Sequence, residues 1–318
     1  MAYYLGIDGG GSKTACAVGD ESSLLATVTA GPSNITRVGE ARAGESLLEA
    51  IKEACAAAKI DPRQVQRACV GVAGAGREEV ASVVHKIVAE IVSGEVEVVG
   101  DMQIALAAAF GAGPGVIVIA GTGSIAYGRD AQGRTARAGG WGFAISDEGS
   151  AHWIGCAAVV ALLREIDEAK ANAERSENAP ETAQSLPLFR EMKAAWALQS
   201  LDELIRHANS SPNFAKLLPA ILAAADAGDG VAQRVLAQAG RELAQLAGIV
   251  VRQLFAESSD TVALAMAGGV FRHSSRVREM FRSEVGAIDP RLAVNREIVD
   301  PVNGALQMAR TPDRDAKA

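Results

Sequence analysis

The sequence predicts a two-lobed α/β protein in which a βββαβαβα unit occurs twice, with a helical insertion in the second copy. Two glycine-rich turns, Gly6–Thr14 and Ile119–Ser124, each follow a short apolar run. Three strand-like runs open the first half, and the same hairpin pattern restarts after Gly111–Pro114. A chain of 318 residues is long enough to bury two cores, so the repeat predicts two lobes.

Periodicity assigns the elements of the first half. Apolar or alternating runs bounded by turns predict strands, and apolar residues at helical spacing predict helices. The predicted strands are 3–7, 15–18, 24–28, 69–73 and 96–99, and the predicted helices are 41–58, 77–92 and 102–110.

The second half repeats this opening and then departs from it. Strands are predicted at 115–120, 124–128 and 134–138, followed by a helix over 149–168. The polar segment 169–185 predicts a mobile connection. Helices then dominate to about 257, before a buried strand at 262–266, a last helix at 302–310 and a frayed tail at 311–318.

Composition narrows the class of protein. The net charge of −7 argues against binding to nucleic acid or to an anionic membrane. The four cysteines form no CxxC pair and have no zinc-finger spacing, which favours buried, reduced thiols. The four histidines show no metal spacing either. No signal segment or membrane span is apparent, so we expect a cytoplasmic protein.

The first glycine turn is not a P-loop. Gly6 and Gly11 have the P-loop spacing, but Ser12 stands where the lysine belongs, and a strand follows instead of a helix. The strand-to-strand connection also excludes a dinucleotide-binding fingerprint. Glycine and small hydroxyl residues let backbone N–H groups approach an anion. Both turns are therefore predicted to be β-hairpin loops around phosphates, and the alternative is a tight hairpin without a ligand.

Two aspartates follow predicted strands. Asp8 ends the first strand, where a hydrated Mg²⁺ would be a natural partner for a buried carboxylate. The alternative is a carboxylate that bonds its own turn. Asp101 ends the strand before the helix 102–110, at the sheet edge where α/β proteins place their chemistry. Its alternative role is that of a helix N-cap.

The segment Gly139–Ser150 holds four glycines and two serines beside Trp141 and Asp147. A carboxylate next to a glycine-shaped wall suits hydrogen bonds from sugar hydroxyls. The alternatives are a packing role for Trp141 and a helix-start role for Asp147 or Glu148. Asn34 is by default a turn residue. Gly74 lies just after a predicted strand, in a segment that would either pack closely against its neighbours or form a wall of the substrate site.

Together these segments resemble the actin-like ATPase (ribonuclease H-like) fold and, within it, the N-acetylglucosamine kinase branch of the BadF/BadG/BcrA/BcrD ATPase family. The most specific segment is GGWGFAISDEGS at 139–150, with IDGGGSKT at 7–14, GTGS at 121–124 and AGGVF at 267–271 in the expected order. The resemblance implies a general base at Asp101 and a water-mediated Mg²⁺ site at Asp8. It implies ATP contacts at Gly10, Gly11, Ser12, Lys13, Gly121, Thr122, Gly123, Ala215, Gly268 and Gly269. It implies a sugar site formed by Asn34, Gly74, Asp101, Thr122, Gly140, Trp141 and Asp147.

The expected activity is therefore an ATP-dependent amino-sugar kinase that phosphorylates the primary hydroxyl of N-acetylglucosamine. Glucosamine and N-acetylmuramate remain alternative acceptors. Two other classes stay open: an ATPase activator of a radical dehydratase, which needs cysteines for an iron–sulfur cluster, and a non-catalytic sugar sensor. The resemblance also implies a homodimer. The expected lobes are 1–112 and 113–300, with the C-terminal helix of 301–318 packing back on the first lobe.

Overall fold

The computed structural model describes residues 2–173 and 186–311. The first unit, called the N-terminal lobe below, contains one five-stranded sheet in the order β3-β2-β1-β4-β5, with β1 parallel to β4 and β4 parallel to β5. Its elements are β1 Tyr3–Gly9, β2 Thr14–Gly19, β3 Leu24–Ala30, α1 Ile35–Val38, α2 Glu40–Ala57, β4 Val65–Val72, α3 Glu78–Ala89, β5 Glu95–Gly100 and α4 Asp101–Phe110.

The second unit, called the C-terminal lobe, contains a sheet of the same topology in the order β10-β9-β6-β7-β8. Its elements are β6 Gly115–Ala120, β7 Ser124–Arg129, β8 Thr135–Gly139, α5 Ala151–Ala173, α6 Pro187–Ala195, α7 Leu201–Asn209, α8 Leu218–Asp226, α9 Gly230–Phe255, β9 Val262–Ala267, α10 Gly269–His273, α11 Ser275–Ile288, β10 Leu292–Val299 and α12 Pro301–Arg310. The two matching sheets confirm the predicted duplicated, two-lobed α/β fold, and α6–α9 form the helical insertion.

Sequence reasoning missed the strand β10 and the helix α11 that precedes it. The middle of β10 is Asn295-Arg296-Glu297, which is exposed, so the strand lacks the apolar run that marks a buried strand. β10 lies at the edge of its sheet, where only one side pairs with a neighbour, and edge strands tolerate charge. The strand is therefore specified by pairing with β9, which its own residues do not reveal.

The boundary of α5 also differs from the prediction. The helix continues to Ala173, so residues 169–173 are helical and do not belong to a connection. Lys and Ala favour helices even without bulky apolar neighbours, which explains the extension. The remainder of the predicted connection, 174–185, and the tail at 312–318 lie outside the described residues. None of the described helices is long and apolar enough to cross a membrane.

Each lobe has an aliphatic core that its own sheet and helices supply. In the N-terminal lobe α2 turns one face toward the sheet, where Leu47 and Ile51 are fully buried. In the C-terminal lobe α9 spans the sheet and buries residues at helical spacing along most of its length. Apolar residues that recur every three or four positions form a stripe along one side of a helix, and that side packs against the sheet.

Helices α4 and α12 join the two lobes. Side chains of α12 pack on β1 and β2, while α4 buries Ala105 and Leu106 against the C-terminal sheet. The two helices cross at Gly304, where a Cβ atom would overlap the backbone carbonyl of Ile104. Only glycine permits this approach, so the residue sets the distance between the helices.

Candidate active site

The two predicted phosphate hairpins meet in the structure. The hydroxyls of Ser12 and Thr122 lie 2.9 Å apart although the residues are 110 positions apart in the chain. Each turn is closed by its own backbone: the Gly10 N–H donates to Lys13 and the Gly121 N–H donates to Gly123, both at 2.9 Å. The fold therefore brings one hairpin from each lobe to a common point, with glycine backbone and small hydroxyls facing it.

Asp8 lies beside this point at the end of β1. It pairs in register with Gly71 on β4, and Gly71 pairs with Val99 on β5, so the carboxyl ends of three parallel strands form one edge. Burial, together with the carboxylates of Asp101 and Asp300, raises the pKa of Asp8 to about 7, and Lys13 opposes that shift. A group of negative charges without enough positive charge favours a bound cation.

Asp101 is the first residue of α4, directly after β5. Gly100 is the N-cap, and its N–H donates to the side chain of Gln103 at 2.8 Å, so the alternative N-cap role for Asp101 is wrong. The Asp101 carboxylate accepts from the Met102 N–H at 3.0 Å. Burial raises its pKa, and the hydrogen bonds from the backbone of Met102 and Asp101 partly offset that effect. Such a carboxylate is suited to accepting a proton.

Asp300 is a third carboxylate that sequence reasoning missed. It follows β10 and precedes α12, as Asp101 follows β5 and precedes α4. Its charge acts on Asp8 across the two lobes. Asp300 is the counterpart of Asp101 in the second copy of the repeated unit. The sequence would have indicated this residue only if β10 had been predicted, because Asp300 directly follows that strand.

Asn34 adjoins the first hairpin. Its backbone N–H donates to the Gly10 carbonyl at 3.3 Å, which ties the segment to the phosphate turn. Its side-chain oxygen is buried and has no hydrogen-bond partner among the described residues. A buried acceptor without a partner is costly unless a ligand supplies a donor, as a sugar hydroxyl does. Gly74 has a positive φ of 86° and faces the guanidinium of Arg77.

Asp147 links the loop 139–150 to the second hairpin. It is buried, with a positive φ of 67°, and accepts from the Gly142 N–H at 3.3 Å. A Cβ atom on Gly123 would lie 2.7 Å from its carboxylate, so only glycine fits there. Burial raises the pKa of Asp147, as does the neighbouring charge of Glu148. The loop is further held by hydrogen bonds from Ser124 Oγ to the Glu148 carbonyl and from the Ala151 N–H to Gly121.

The alternative prediction for Trp141, a packing role, is wrong. Its side chain is 64% exposed, and the guanidinium of Arg137 lies 4.3 Å from the ring centroid. Gly140, with φ of 70°, packs against Ile125. The loop therefore carries an exposed aromatic ring and a buried carboxylate, and these two groups suit the apolar face and the hydroxyls of a sugar.

The residues expected to face adenosine lie on the C-terminal lobe. Gly268 follows β9 with φ of 98° and abuts the backbone of Ala120 at the end of β6; Gly269 begins α10. Ala215 lies in the 3-10 helix Phe214–Leu217, which packs on α5. Just before it, the side-chain oxygen of Asn213 is buried without a partner among the described residues, and sequence reasoning missed this acceptor.

Arg37 is a third residue that sequence reasoning missed. It lies in the last turn of the short helix α1, whose N-cap is Asn34. Its place three positions after the candidate residue Asn34 is the signal in the sequence that could have drawn attention to it. A Cβ atom on Gly11 would lie 3.5 Å from Arg37 Cδ and 3.7 Å from Thr122 Cβ. The charge of Arg37 also lowers the pKa of His152, although burial lowers that pKa more.

Three of the four cysteines, Cys16, Cys55 and Cys69, are buried thiols, as predicted, and burial raises the pKa of each. Cys156 is exposed on α5, so the prediction is wrong there, because that helix turns this residue away from the sheet. Within residues 2–173 and 186–311, no group of three His, Cys, Asp or Glu side chains has the geometry of a metal cluster.

Two matched sheets with a phosphate-type hairpin from each lobe define the class: a two-lobed α/β protein of the actin-like ATPase and sugar kinase fold. A Chromobacterium violaceum protein described as a candidate N-acetylglucosamine kinase has this fold, with a TM-score of 0.73, 24% identity, and 97% and 99% of the two chains covered. The chain belongs to the BadF/BadG/BcrA/BcrD ATPase family, whose model matches residues 5–309.

Two curated relatives carry kinase names. The chain is 33% identical to an N-acetylmuramic acid/N-acetylglucosamine kinase of Clostridium acetobutylicum, over 98% of this chain and 99% of the relative. It is 28% identical to an N-acetyl-D-glucosamine kinase of Dictyostelium discoideum, over 96% and 97% of the two chains.

Proposed function

We propose that this chain is an ATP-dependent amino-sugar kinase that transfers the γ-phosphoryl group of ATP to the primary hydroxyl of N-acetylglucosamine. The observation that carries the proposal is the meeting of Ser12 and Thr122, one from each lobe, beside the carboxyl edge that holds Asp8 and Asp101. Phosphoryl transfer needs positioning and charge stabilisation more than covalent help, and this arrangement supplies both.

ATP would lie between the lobes with its phosphates on the two hairpins. Backbone N–H groups and hydroxyls at Gly10–Lys13 and Gly121–Gly123 would hold the phosphate oxygens, because glycines let the backbone approach closely. The adenosine would lie toward Ala215, Gly268 and Gly269, where the buried oxygen of Asn213 offers an acceptor.

Asp8 is the residue that would hold Mg²⁺, through water. The raised pKa of Asp8 and the carboxylates of Asp101 and Asp300 that act on it fit a divalent cation. Magnesium keeps several waters and needs only one or two protein carboxylates, so Asp8 alone could hold it through water. The ion would neutralise phosphate charge.

Asp101 is the proposed general base. The sugar would lie between Asn34, Gly74, Gly140, Trp141 and Asp147, with its primary hydroxyl toward Asp101. That carboxylate would orient the hydroxyl and accept its proton. Burial keeps the pKa of Asp101 above its ordinary value, which brings its basicity closer to the working pH.

The deciding test is sugar-dependent ADP release. We expect release with N-acetylglucosamine, and we include N-acetylmuramate because the Clostridium relative is named for both sugars. Glucosamine and glucose complete the panel. Release without any sugar would favour an ATPase activator, and sugar binding without release would favour a sensor.

Asp101→Asn tests the base. We expect kcat to fall by about 10²–10⁴ because a positioned base contributes that much, while the Kd for ATP stays the same. Asp167→Asn, an exposed aspartate on α5, is the matched control. A variant at Asp101 with near-normal turnover would remove this residue from the mechanism.

A further inference from the structure

The side chain of Arg37 lies at the tip of the first hairpin, beside the point where the two hairpins meet. A Cβ atom built on Gly11 would have Arg37 Cδ at 3.5 Å, Arg37 Nη1 at 3.7 Å and Thr122 Cβ at 3.7 Å. A side-chain atom on Gly11, at the tip of the first hairpin, would therefore be in van der Waals contact with the guanidinium of Arg37 and with Thr122 of the second hairpin. The cation lies where the two phosphate turns come together.

The guanidinium of Arg37 has no hydrogen bond and no ion pair within the described residues. Other arginines of the chain do have carboxylate partners: Arg42 with Glu45 at 3.0 Å, and Arg134 with Asp130 at 2.6 Å. The charges that act on Asp8 are those of Asp101, Asp300 and Lys13, so Arg37 is not the counter-ion of that group. Arg37 is only partly exposed, and burial lowers its pKa.

A partly buried cation without a partner in the protein has lost part of its hydration and has gained no contact in exchange. An oxyanion between the hairpins would restore that interaction, because a guanidinium matches the geometry of phosphate oxygens. The neighbouring His152 does not favour a second positive charge here, since burial and Arg37 both lower its pKa.

We propose that Arg37 is a catalytic residue that contacts the phosphoryl group as it passes from ATP to the sugar. This rests on the proposed function. In that step the bond from the sugar oxygen to phosphorus forms and the bond to the β-phosphate oxygen breaks. ADP leaves with the electron pair, and Asp101 takes the proton of the hydroxyl. Arg37 keeps its proton and stabilises the charge on the equatorial oxygens.

Turnover provides the first test. Arg37→Gln removes the charge, Arg37→Lys keeps a charge without the fork of donors, and Arg42→Gln on α2 is the matched control. We expect Arg37→Gln to lower kcat by about 10²–10³ with both N-acetylglucosamine and N-acetylmuramate, with little change in KM for ATP. Arg37→Lys should recover part of the loss, and Arg42→Gln should behave as wild type.

Binding provides a readout that does not depend on activity. Aluminium fluoride with ADP, Mg²⁺ and sugar mimics the group in transfer, whereas ADP alone does not. In isothermal titration we expect Arg37→Gln to lose affinity for the ADP–aluminium fluoride complex at least tenfold and to bind ADP normally. Thermal unfolding of each variant shows whether the fold is retained.

Three results would overturn the proposal: an unchanged kcat in Arg37→Gln, a loss confined to N-acetylmuramate, or equal losses of affinity for ADP and for ADP–aluminium fluoride. The second would assign Arg37 to the carboxylate of the acceptor. Wild-type protein without sugar-dependent ADP release would count against the proposed function instead, and the titration would still decide whether Arg37 recognises a phosphoryl group.

Discussion

At the scale of single residues, the cleft concentrates negative charge that the fold does not neutralise. Asp8, Asp101 and Asp300 approach one another from three strand ends, and the pKa of Asp8 rises to about 7. The protonated form of Asp8 is therefore favoured in the folded protein compared with the unfolded chain. A site that is electrostatically costly without ligands is prepared for a cation and for the proton of a substrate.

The charge of Asp8 makes stability depend on pH. Between its ordinary pKa of 3.8 and about 7 the folded state binds more protons than the unfolded state, so the free energy of unfolding falls as pH rises through this window. Each unit of pKa difference corresponds to about 1.4 kcal/mol. We expect Asp8→Asn to be more stable than wild type at pH 8 and no more stable at pH 4.

Chemical denaturation in urea from pH 4 to pH 8 measures this effect, and Asp167→Asn provides the control. Adding Mg²⁺ should stabilise wild type at pH 8 and leave Asp8→Asn unchanged. If the two proteins lost stability in parallel as the pH rose, the titration would belong to another group.

A variant at Asp147 tests whether this residue serves sugar binding and not nucleotide binding, as we propose. Asn tolerates the left-handed backbone at this position, so Asp147→Asn removes the charge and keeps the loop. Loss of a hydrogen bond to a charged acceptor costs about 1.5–3 kcal/mol, or roughly 10–150-fold in affinity. We expect the Kd for N-acetylglucosamine to rise by that factor in isothermal titration, with the Kd for ADP unchanged. The reverse pattern would place Asp147 on the nucleotide.

At the scale of elements, the crossing of α4 and α12 holds the lobes together. The backbone of one helix contacts the backbone of the other at Gly304, where a side chain has no space. Around it, Ile104, Ala305 and Ala309 form a small apolar cluster with Cys69. This crossing positions Asp101 and Asp300, because each begins or directly precedes one of the two helices.

Gly304→Leu should therefore destabilise the whole molecule. Forcing a side chain into this contact requires the helices to separate, and we expect a loss of about 3 kcal/mol or more. Gly286→Ala on α11 is the matched control, since a Cβ there meets nothing within 4 Å. That change should add up to about 1 kcal/mol through helix propensity. Thermal unfolding compares the two, and equal melting temperatures would mean that the crossing is not a tight contact.

Predictability differs among the elements. The strands β1, β4, β6 and β9 each contain a run of mostly apolar residues, such as Ala68–Val72 in β4, so their sequences alone identify them. The edge strand β10 has a polar centre, and its structure depends on a neighbour that only the fold supplies. Helix α11 follows the short helix α10 and has its own N-cap, Ser274. A serine N-cap adds no apolar residue to the pattern, so hydrophobic periodicity does not show where this helix begins.

At the scale of the whole molecule, duplication explains the shape of the site. Both sheets have the same strand order, and each presents a hairpin and an aspartate at its carboxyl edge. Ser12 and Asp101 come from one copy, and Thr122 and Asp300 come from the other. A ligand between the lobes would thus be held by equivalent elements from both. The homodimer and the cytoplasmic location stay predictions.

The sequence by itself determined the repeat, the two hairpins and the chemistry-bearing Asp8, Asp101 and Asp147, because local pattern and turn chemistry depend on neighbouring residues. Only the tertiary structure decided that Ser12 meets Thr122 and that Asp300 joins the carboxylates. It also decided that Arg37, which has no side-chain partner among the described residues, lies beside the point where the hairpins meet. These contacts join residues that are distant in the chain. Their distances follow from how two lobes pack, which no local pattern encodes.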